Sequence, residues 1–288
     1  MSGFATRFAP SPTGRLHKGH ALSALTAHAA ALAAGGRFLL RIEDIDRARS
    51  RPAFEAALLE DLAWLGLGWE TPVRRQSEHM DDYEQALERL RAGDLLYRCF
   101  KTRREIEGDI ARAPHGPVEA YRGAPLPAAE EAARLAAGEP FARRLSLEAA
   151  RRALGEPAWT SLSFVEEGQG PQGESGLIAA RPEPAGDVVL ARKDVGVAYH
   201  LAVVVDDALQ GITHVIRGED LHEAAHIQRL LQALLGLPTP IYRHHPLLLG
   251  PDGKRLAKRD RPQTLADLRE RGVKAQALRA ELGFGGKA

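Results

Sequence analysis

The 288-residue sequence has one cysteine, Cys99, and two methionines. A single thiol excludes an internal disulfide framework and suits a reducing compartment. Long apolar runs are absent as well. The longest candidate, residues 21–36, is Ala-rich and interrupted by Ser23, Thr26 and His28. It is too short and too polar to span a bilayer, so no membrane association is expected. The N-terminus carries Arg7, Pro10, Pro12 and Arg15 where a secretion signal would need an apolar stretch, which points to the cytoplasm. Neither charge sign dominates: 39 Lys and Arg face 38 Asp and Glu, a net charge of +1. Any binding of nucleic acid must therefore come from a local patch. Lysine is scarce, 7 against 32 arginines, so a lysine in a glycine loop stands out. No internal repeat is found. What remains, 44% apolar and 27% charged residues, is a globular composition with enough chain to bury a core.

The pattern along the chain predicts an α/β protein. Residues 4–9 alternate like a strand and are broken by Pro10-Ser11-Pro12-Thr13-Gly14. A helix is expected from near Gly19 to about Ala34, stopped by Gly35-Gly36. Residues 38–43 form a nearly continuous apolar run, as in a strand covered on both faces. Strand, helix, strand in this order predicts a βαβ unit and a parallel sheet. Helices follow over 52–67 and 82–91. From about Leu95 to Asp187 the chain is rich in Pro, Gly, Arg and Glu, with helical periodicity only near 128–137 and 145–154, and reads as an inserted subdomain with long surface loops. Residues 188–190, 201–205 and 212–217 read as buried strands, and 224–235 as a helix closed by Gly236.

Two motifs carry chemistry. His17-Lys18-Gly19-His20 opens the first helix directly after a strand and a turn. Free N–H groups and the positive helix end make an anion site there, Gly19 lets a flat ring approach the backbone, and two imidazoles three residues apart share a face. Taken alone, the same residues also read as a helix cap with surface histidines. The second motif, Gly250-Pro251-Asp252-Gly253-Lys254-Arg255-Leu256-Ala257-Lys258-Arg259, is a glycine-hinged loop with four cations in six residues. Such a loop can close over a triphosphate and neutralise charge on a leaving pyrophosphate, although alone it also reads as a solvated basic turn.

Together the two motifs resemble the HIGH and KMSKS signatures of class I aminoacyl-tRNA synthetases. The segments 7–14 (RFAPSPTG), 40–46 (LRIEDID), 61–69 (DLAWLGLGW), 76–77 (QS), 199–207 (YHLAVVVDD) and 215–221 (VIRGEDL) are similar to those of glutamyl-tRNA synthetases. Only 29 residues follow Arg259, so no anticodon-binding domain is expected. That length resembles the short paralogues, the glutamyl-queuosine tRNA(Asp) synthetases. The resemblance implies a Rossmann-type parallel sheet with an inserted subdomain and a short C-terminal loop-helix segment. It implies a first catalytic half at 1–95, an acceptor-type insert at 96–186, a second half at 187–245, and a loop and helical segment at 246–288. The implied reaction is ATP-dependent activation of L-glutamate, with Mg2+ accompanying ATP, and transfer to queuosine in the anticodon stem-loop of tRNA(Asp). A monomer is expected.

By the same resemblance, Arg7, Ser11, Glu43, Tyr199 and Arg217 bind glutamate. His17, Gly19, His20, Arg255 and Lys258 bind ATP, and His17, Gly19, His20 and Lys258 serve catalysis. Glu43 would hold the α-ammonium and Arg7 a carboxylate, to which a guanidinium fork is suited. Other readings are a core role for Tyr199 and an ion pair of Arg217 with Glu219 or Asp220. Many relatives carry a zinc site of three cysteines and a tyrosine. Here Cys99 is followed two residues later by Lys101, and Tyr121 has no later cysteine to join it. One thiol does not make a tetrahedral structural site, and His79 and His115 are too scattered to replace the others, so no structural zinc is expected. A basic strip of Arg243, Arg255, Arg259, Arg261, Arg269 and Arg271 is the candidate RNA surface. Two other functions fit parts of the pattern: an HxGH nucleotidylyltransferase acting on a small cofactor precursor, and a non-catalytic module descended from a synthetase.

Overall fold

A computed structural model describes residues 3–102, 104–107, 120–248 and 263–285. Strand β1 (Ala5–Phe8), helix α1 (Lys18–Ala33) and strand β2 (Arg37–Ile42) form the expected βαβ unit, with β1 and β2 parallel. The chain then runs through α2 (Pro52–Trp64), β3 (Glu70–Arg75) and α3 (Met80–Ala92) to β4 (Leu96–Cys99). β3 pairs parallel with β2. The intervening segment holds α4 (Ala128–Ala136), β5 (Ala142–Leu145), α5 (Leu147–Leu154), α6 (Glu156–Thr160), β6 (Ser163–Glu166) and β7 (Gly176–Ala179). It is more regular than its composition indicated, because strands of four residues are too short to print a period on the sequence. The chain continues as β8 (Val189–Ala191), α7 (Tyr199–Leu209), β9 (His214–Gly218), α8 (His222–Leu235), β10 (Ile241–His245), α9 (Leu265–Glu270) and α10 (Ala275–Glu281).

Three hydrogen-bonded groups of strands result: β1-β2-β3, β7-β6-β10-β9 and β4-β5-β8. β9, β10 and β6 pair in parallel, and β7 folds back antiparallel on β6. The first two groups meet where the Thr213 amide donates to the Ala5 carbonyl at 2.9 Å and the Ala5 amide to Thr213 Oγ1 at 2.8 Å. That seam, between β1 and β9, is where the chain changes direction across the sheet, and in open α/β sheets ligands bind beyond the strand ends at such a point.

Residues 201–205 are corrected from strand to helix: they lie in the middle of α7. Leu201 to Asp207 are all buried, so the helix has no polar stripe over this stretch to reveal its period. A continuous apolar run is shared by buried strands and buried helices. β10 gave no signal, since Tyr242-Arg243-His244-His245 reads as polar although Tyr242 and both histidines are buried.

α1 packs an alanine face, Ala21, Ala24, Ala27 and Ala31, against the first sheet together with Leu25, Leu40 and Ile42. Small side chains let the helix axis approach the strands and bring its N-terminus over their ends. A second core joins α3, α7 and α8 to the inserted segment through Tyr83, Leu87, Leu145, Trp159, Leu201 and Leu230. No helix among the described residues is long and apolar enough to cross a membrane.

Candidate active site

The carboxyl ends of β1, β2, β9 and β10 and the N-terminus of α1 surround a cleft of about 1080 Å³. Its lining includes Arg7, Ser11, Glu43, Tyr199 and Arg217, and also His17, Gly19 and His20. All candidate residues within the described chain are thus brought together. Arg255 and Lys258 lie outside the described residues.

The α1 end is built by its own histidines. His17 is the N-cap, in extended conformation, and its Nδ1 accepts from the Gly19 amide at 3.1 Å. His20 Nδ1 accepts in turn from the His17 amide at 3.2 Å, closing a capping box with imidazoles in place of the usual oxygens. The ring centroids are 3.9 Å apart. Because each Nδ1 accepts, a neutral ring carries its proton on Nε2, the tautomer that makes Nε2 a donor. A Cβ on Gly19 would lie 3.0 Å from the His17 ring, so the glycine keeps the cap closed.

Arg7 sits at the end of β1, buried, with Nε 3.0 Å from Asp207 Oδ1. Arg41 Nη1 reaches the same oxygen at 2.7 Å, and its Nη2 donates to Glu43 at 3.2 Å. Arg41 is wholly buried inside β2 and also faces Asp206. Burial opposes its charge, but Asp207, Glu43 and Asp206 outweigh that and hold the guanidinium more firmly protonated than usual. Burial pushes Asp207 up, yet Arg7 and Arg41 bring its carboxyl below the ordinary value. Glu43 remains shifted upward by burial, against the pull of Arg41 and Arg7. Arg41 and Asp207 organise this wall; both lie in the segments 40–46 and 199–207, whose resemblance gave neither a role. The available signal was an arginine inside an apolar strand, since a buried charge needs partners.

On the opposite wall, Arg217 is buried at 5% exposure and pairs with neither Glu219 nor Asp220. Its Nε donates to His244 Nε2 at 3.1 Å, Nη1 to Gln228 Oε1 at 3.0 Å and to the Tyr199 hydroxyl at 3.4 Å, and Nη2 to the Leu221 carbonyl at 2.9 Å. Tyr199 begins α7, half-buried, with its hydroxyl at the cleft rather than in the core. Ser11 is exposed in the turn after β1. His245, absent from the sequence reading, also lines the cleft, its Nε2 2.9 Å from the Ser23 hydroxyl.

These features have counterparts in known proteins. The family described as tRNA synthetases class I (E and Q), catalytic domain, matches residues 4–286. The Glutamyl-Q tRNA(Asp) synthetase of Rhodobacter capsulatus is 48% identical over 97% of this chain and 99% of its own length. The chain belongs to the glutamyl-Q tRNA(Asp) synthetase family of class I synthetases. A protein of the same description from Nocardia farcinica is 45% identical over 97% of the chain and 84% of its own length. A glutamate tRNA ligase from Elizabethkingia meningosepticum, solved in complex with its amino acid, superposes with a TM-score of 0.72 at 31% identity. That match covers 90% of this chain and 52% of the ligase, so the chain spans about half the length of that protein.

The zinc pattern noted in relatives does not fit the described residues here. Cys99 is buried and free, with the Tyr121 hydroxyl beside it, and Lys101 Nζ lies 5.9 Å from the Tyr121 ring. His115 lies outside the described residues. What organises this region is Asp187, whose carboxylate accepts from the Tyr97 hydroxyl at 3.0 Å and from the Gly123 and Leu147 amides at 2.9 Å each. Among the described residues, two groups place possible cation ligands near one another, Glu166 with His222 and His244, and His222 with Glu223 and His226. In the proposed RNA strip, Arg243 is paired with Glu167, and Arg269 with Glu60 and Asp61. Their charges are therefore partly spent within the protein. Arg255, Arg259 and Arg261 lie outside the described residues.

Proposed function

We infer that this protein activates L-glutamate with ATP and transfers the glutamyl group to queuosine in the anticodon stem-loop of tRNA(Asp). The observation that carries this reading is the near full-length similarity to Glutamyl-Q tRNA(Asp) synthetases together with one cleft that unites two arginines, a glutamate and a histidine-capped helix end. In the activation step, a glutamate carboxylate oxygen attacks the α-phosphorus of ATP. The bond to pyrophosphate breaks, giving glutamyl-AMP. In the transfer step a nucleophile on the modified base attacks the acyl carbon and AMP leaves.

The residues divide this work. Glu43 holds the α-ammonium, and its carboxylate is kept in place by Arg41. Arg217 and Arg7 receive the carboxylates of glutamate as charge-assisted donors, Arg7 through its Nη end and Arg217 through an Nη2 N–H beyond the one given to Leu221. Tyr199 and Ser11 complete the amino-acid side of the cleft. The backbone of α1 at Gly19 and the Nε2 donors of His17 and His20 face the phosphates. Lys258 and Arg255 of the downstream loop neutralise charge on the leaving pyrophosphate, and Mg2+ accompanies ATP. Catalysis is positioning and charge stabilisation, with no covalent nucleophile on the protein. Residues 1–95 and 187–245 serve as two halves of the catalytic unit. Support comes from the walls: Arg7 and Glu43 belong to the first, Tyr199, Arg217 and His245 to the second. Residues 96–186 form the acceptor-side subdomain, except that β6 and β7 extend the sheet of the second catalytic half, and 246–288 form the loop and helices that complete the ATP side. ATP and tRNA as substrates assign the protein to the cytoplasm.

The test is transfer of labelled glutamate to tRNA(Asp) with and without queuosine, and to tRNA(Glu). Labelling that requires queuosine is the expected result. Equal labelling of tRNA(Asp) lacking queuosine, or efficient charging of tRNA(Glu), overturns the assignment of acceptor. Glutamate-dependent pyrophosphate exchange by protein and ATP alone is also expected, because Arg7, Glu43 and Arg217 are held by partners within the protein. Exchange that appears only after tRNA is added contradicts it.

A further inference from the structure

Behind Arg217 lies a row of three buried groups from three adjacent strands: Glu166 of β6, His244 of β10 and Arg217 of β9, each at most 5% exposed. Glu166 Oε1 accepts from the amides of His244 and Gly168, both at 2.8 Å. Glu166 Oε2 lies 2.5 Å from His244 Nδ1, and His244 Nε2 accepts from Arg217 Nε at 3.1 Å. A Cβ on Gly168 would lie 2.1 Å from the His244 carbonyl oxygen, so the glycine permits the close turn that wraps the carboxylate. The row uses neither of the signature motifs and contains two residues outside the cleft lining, Glu166 and His244.

We propose that Glu166 and His244 are positioning residues that set the Arg217 guanidinium for a substrate carboxylate by fixing the tautomer of His244. Arginine has no acceptor, so the Nε2 that faces it must present a lone pair. The ring proton then sits on Nδ1 and is donated to Glu166. Burial and the neighbouring Arg217 favour this neutral ring. The guanidinium thus meets an acceptor at Nε, while Gln228, Leu221 and Tyr199 hold its far edge. Tyr242 lies under its face, 5.3 Å from guanidinium carbon to ring centroid. The Glu166, His222 and His244 side chains also place ligand atoms within 4.8 Å of one another. A cation on His244 Nδ1 would leave the ring proton on Nε2, donor against donor with Arg217, so the observed row and an occupied cation site exclude one another.

The proposal rests on Arg217 binding glutamate, and the test separates the two. Glu166→Gln is nearly isosteric. Its amide oxygen must face the two backbone amides, which leaves its NH2 facing His244 Nδ1. The ring then carries its proton on Nε2 and opposes Arg217. Glutamate KM in pyrophosphate exchange should rise about ten- to a hundredfold, the effect of losing a hydrogen bond to a charged group, while ATP KM stays the same. Ring 15N shifts of His244 should move from the Nδ1–H to the Nε2–H pattern. His244→Gln, which can restore an acceptor to Arg217, should stay near wild type, and His244→Asn, which is too short, should behave like Glu166→Gln. The His244 pair decides the matter if Glu166→Gln does not fold. Arg217→Lys is the control. An unchanged glutamate KM in Arg217→Lys defeats the reading of Arg217. A raised KM there, with wild-type kinetics in Glu166→Gln and His244→Asn, overturns the relay alone.

Discussion

Arg7 reaches the cleft already paired, with its Nε 3.0 Å from Asp207 Oδ1 and both side chains buried. Arg7 of the first strand, proposed above to bind a substrate carboxylate, is thus held by an acid 200 residues away on α7. Asp207→Asn should remove the shared counter-charge from Arg7 and Arg41. Breaking a buried pair on one side costs roughly 3–5 kcal/mol, so the urea midpoint should fall clearly, and glutamate KM should rise as Arg7 loses its anchor. A stability change below about 1 kcal/mol would show that Glu43 and Asp206 suffice for Arg41 and that Arg7 needs no partner.

Asp187, with its three accepted hydrogen bonds, takes the organising role in the inserted segment. Asp187→Ala leaves the Tyr97 hydroxyl and two amides without that carboxylate and should cost about 3 kcal/mol. Cys99→Ser should cost far less, and a chelator should leave the melting temperature unchanged. A drop in melting temperature on chelation, abolished by Cys99→Ser, would instead establish a metal at the thiol.

His200, next to Tyr199, is depressed to about 4 by burial and by Arg217, and its Nδ1 has no hydrogen-bond partner among the described residues. The unfolded chain takes up this proton near pH 6.5, while the fold resists it until about pH 4. The stability contributed by neutral His200 is therefore complete above pH 6.5 and is lost as pH falls toward 4. Denaturation from pH 7.5 to 4 should show a shallower decline for His200→Gln than for the wild type. Parallel curves would remove His200 from the acid sensitivity.

Lys258 is expected to act on the barrier rather than on binding. Lys258→Ala should lower kcat for glutamate-dependent exchange about a hundredfold, the scale of roughly 3 kcal/mol for one contact to developing charge. If only the ATP KM rises and kcat is unchanged, Lys258 binds the ground state.

Local chemistry made much of this protein legible. Glycine stops, an anion-type helix start and apolar strand runs are short-range signals, so β1, α1, β2 and α8 and the His17–His20 cap could be named from residues alone, while Arg7, Ser11, Glu43, Tyr199 and Arg217 were named by family resemblance. The 201–205 run escaped because full burial erases the polar face that distinguishes helix from strand. Partnership was invisible for a different reason. That Arg7 meets Asp207 and that Arg41 stands between Asp206, Asp207 and Glu43 are outcomes of α7 packing against the first strands, and that Glu166 and His244 stand behind Arg217 is an outcome of parallel strands lying side by side. Residue type and spacing marked the anion-type helix start and the cationic loop, and family resemblance implied the glutamate-binding residues. Only the tertiary structure decided which charges are already spent on one another, because a buried charge is defined by its neighbours in space and not by those in the chain.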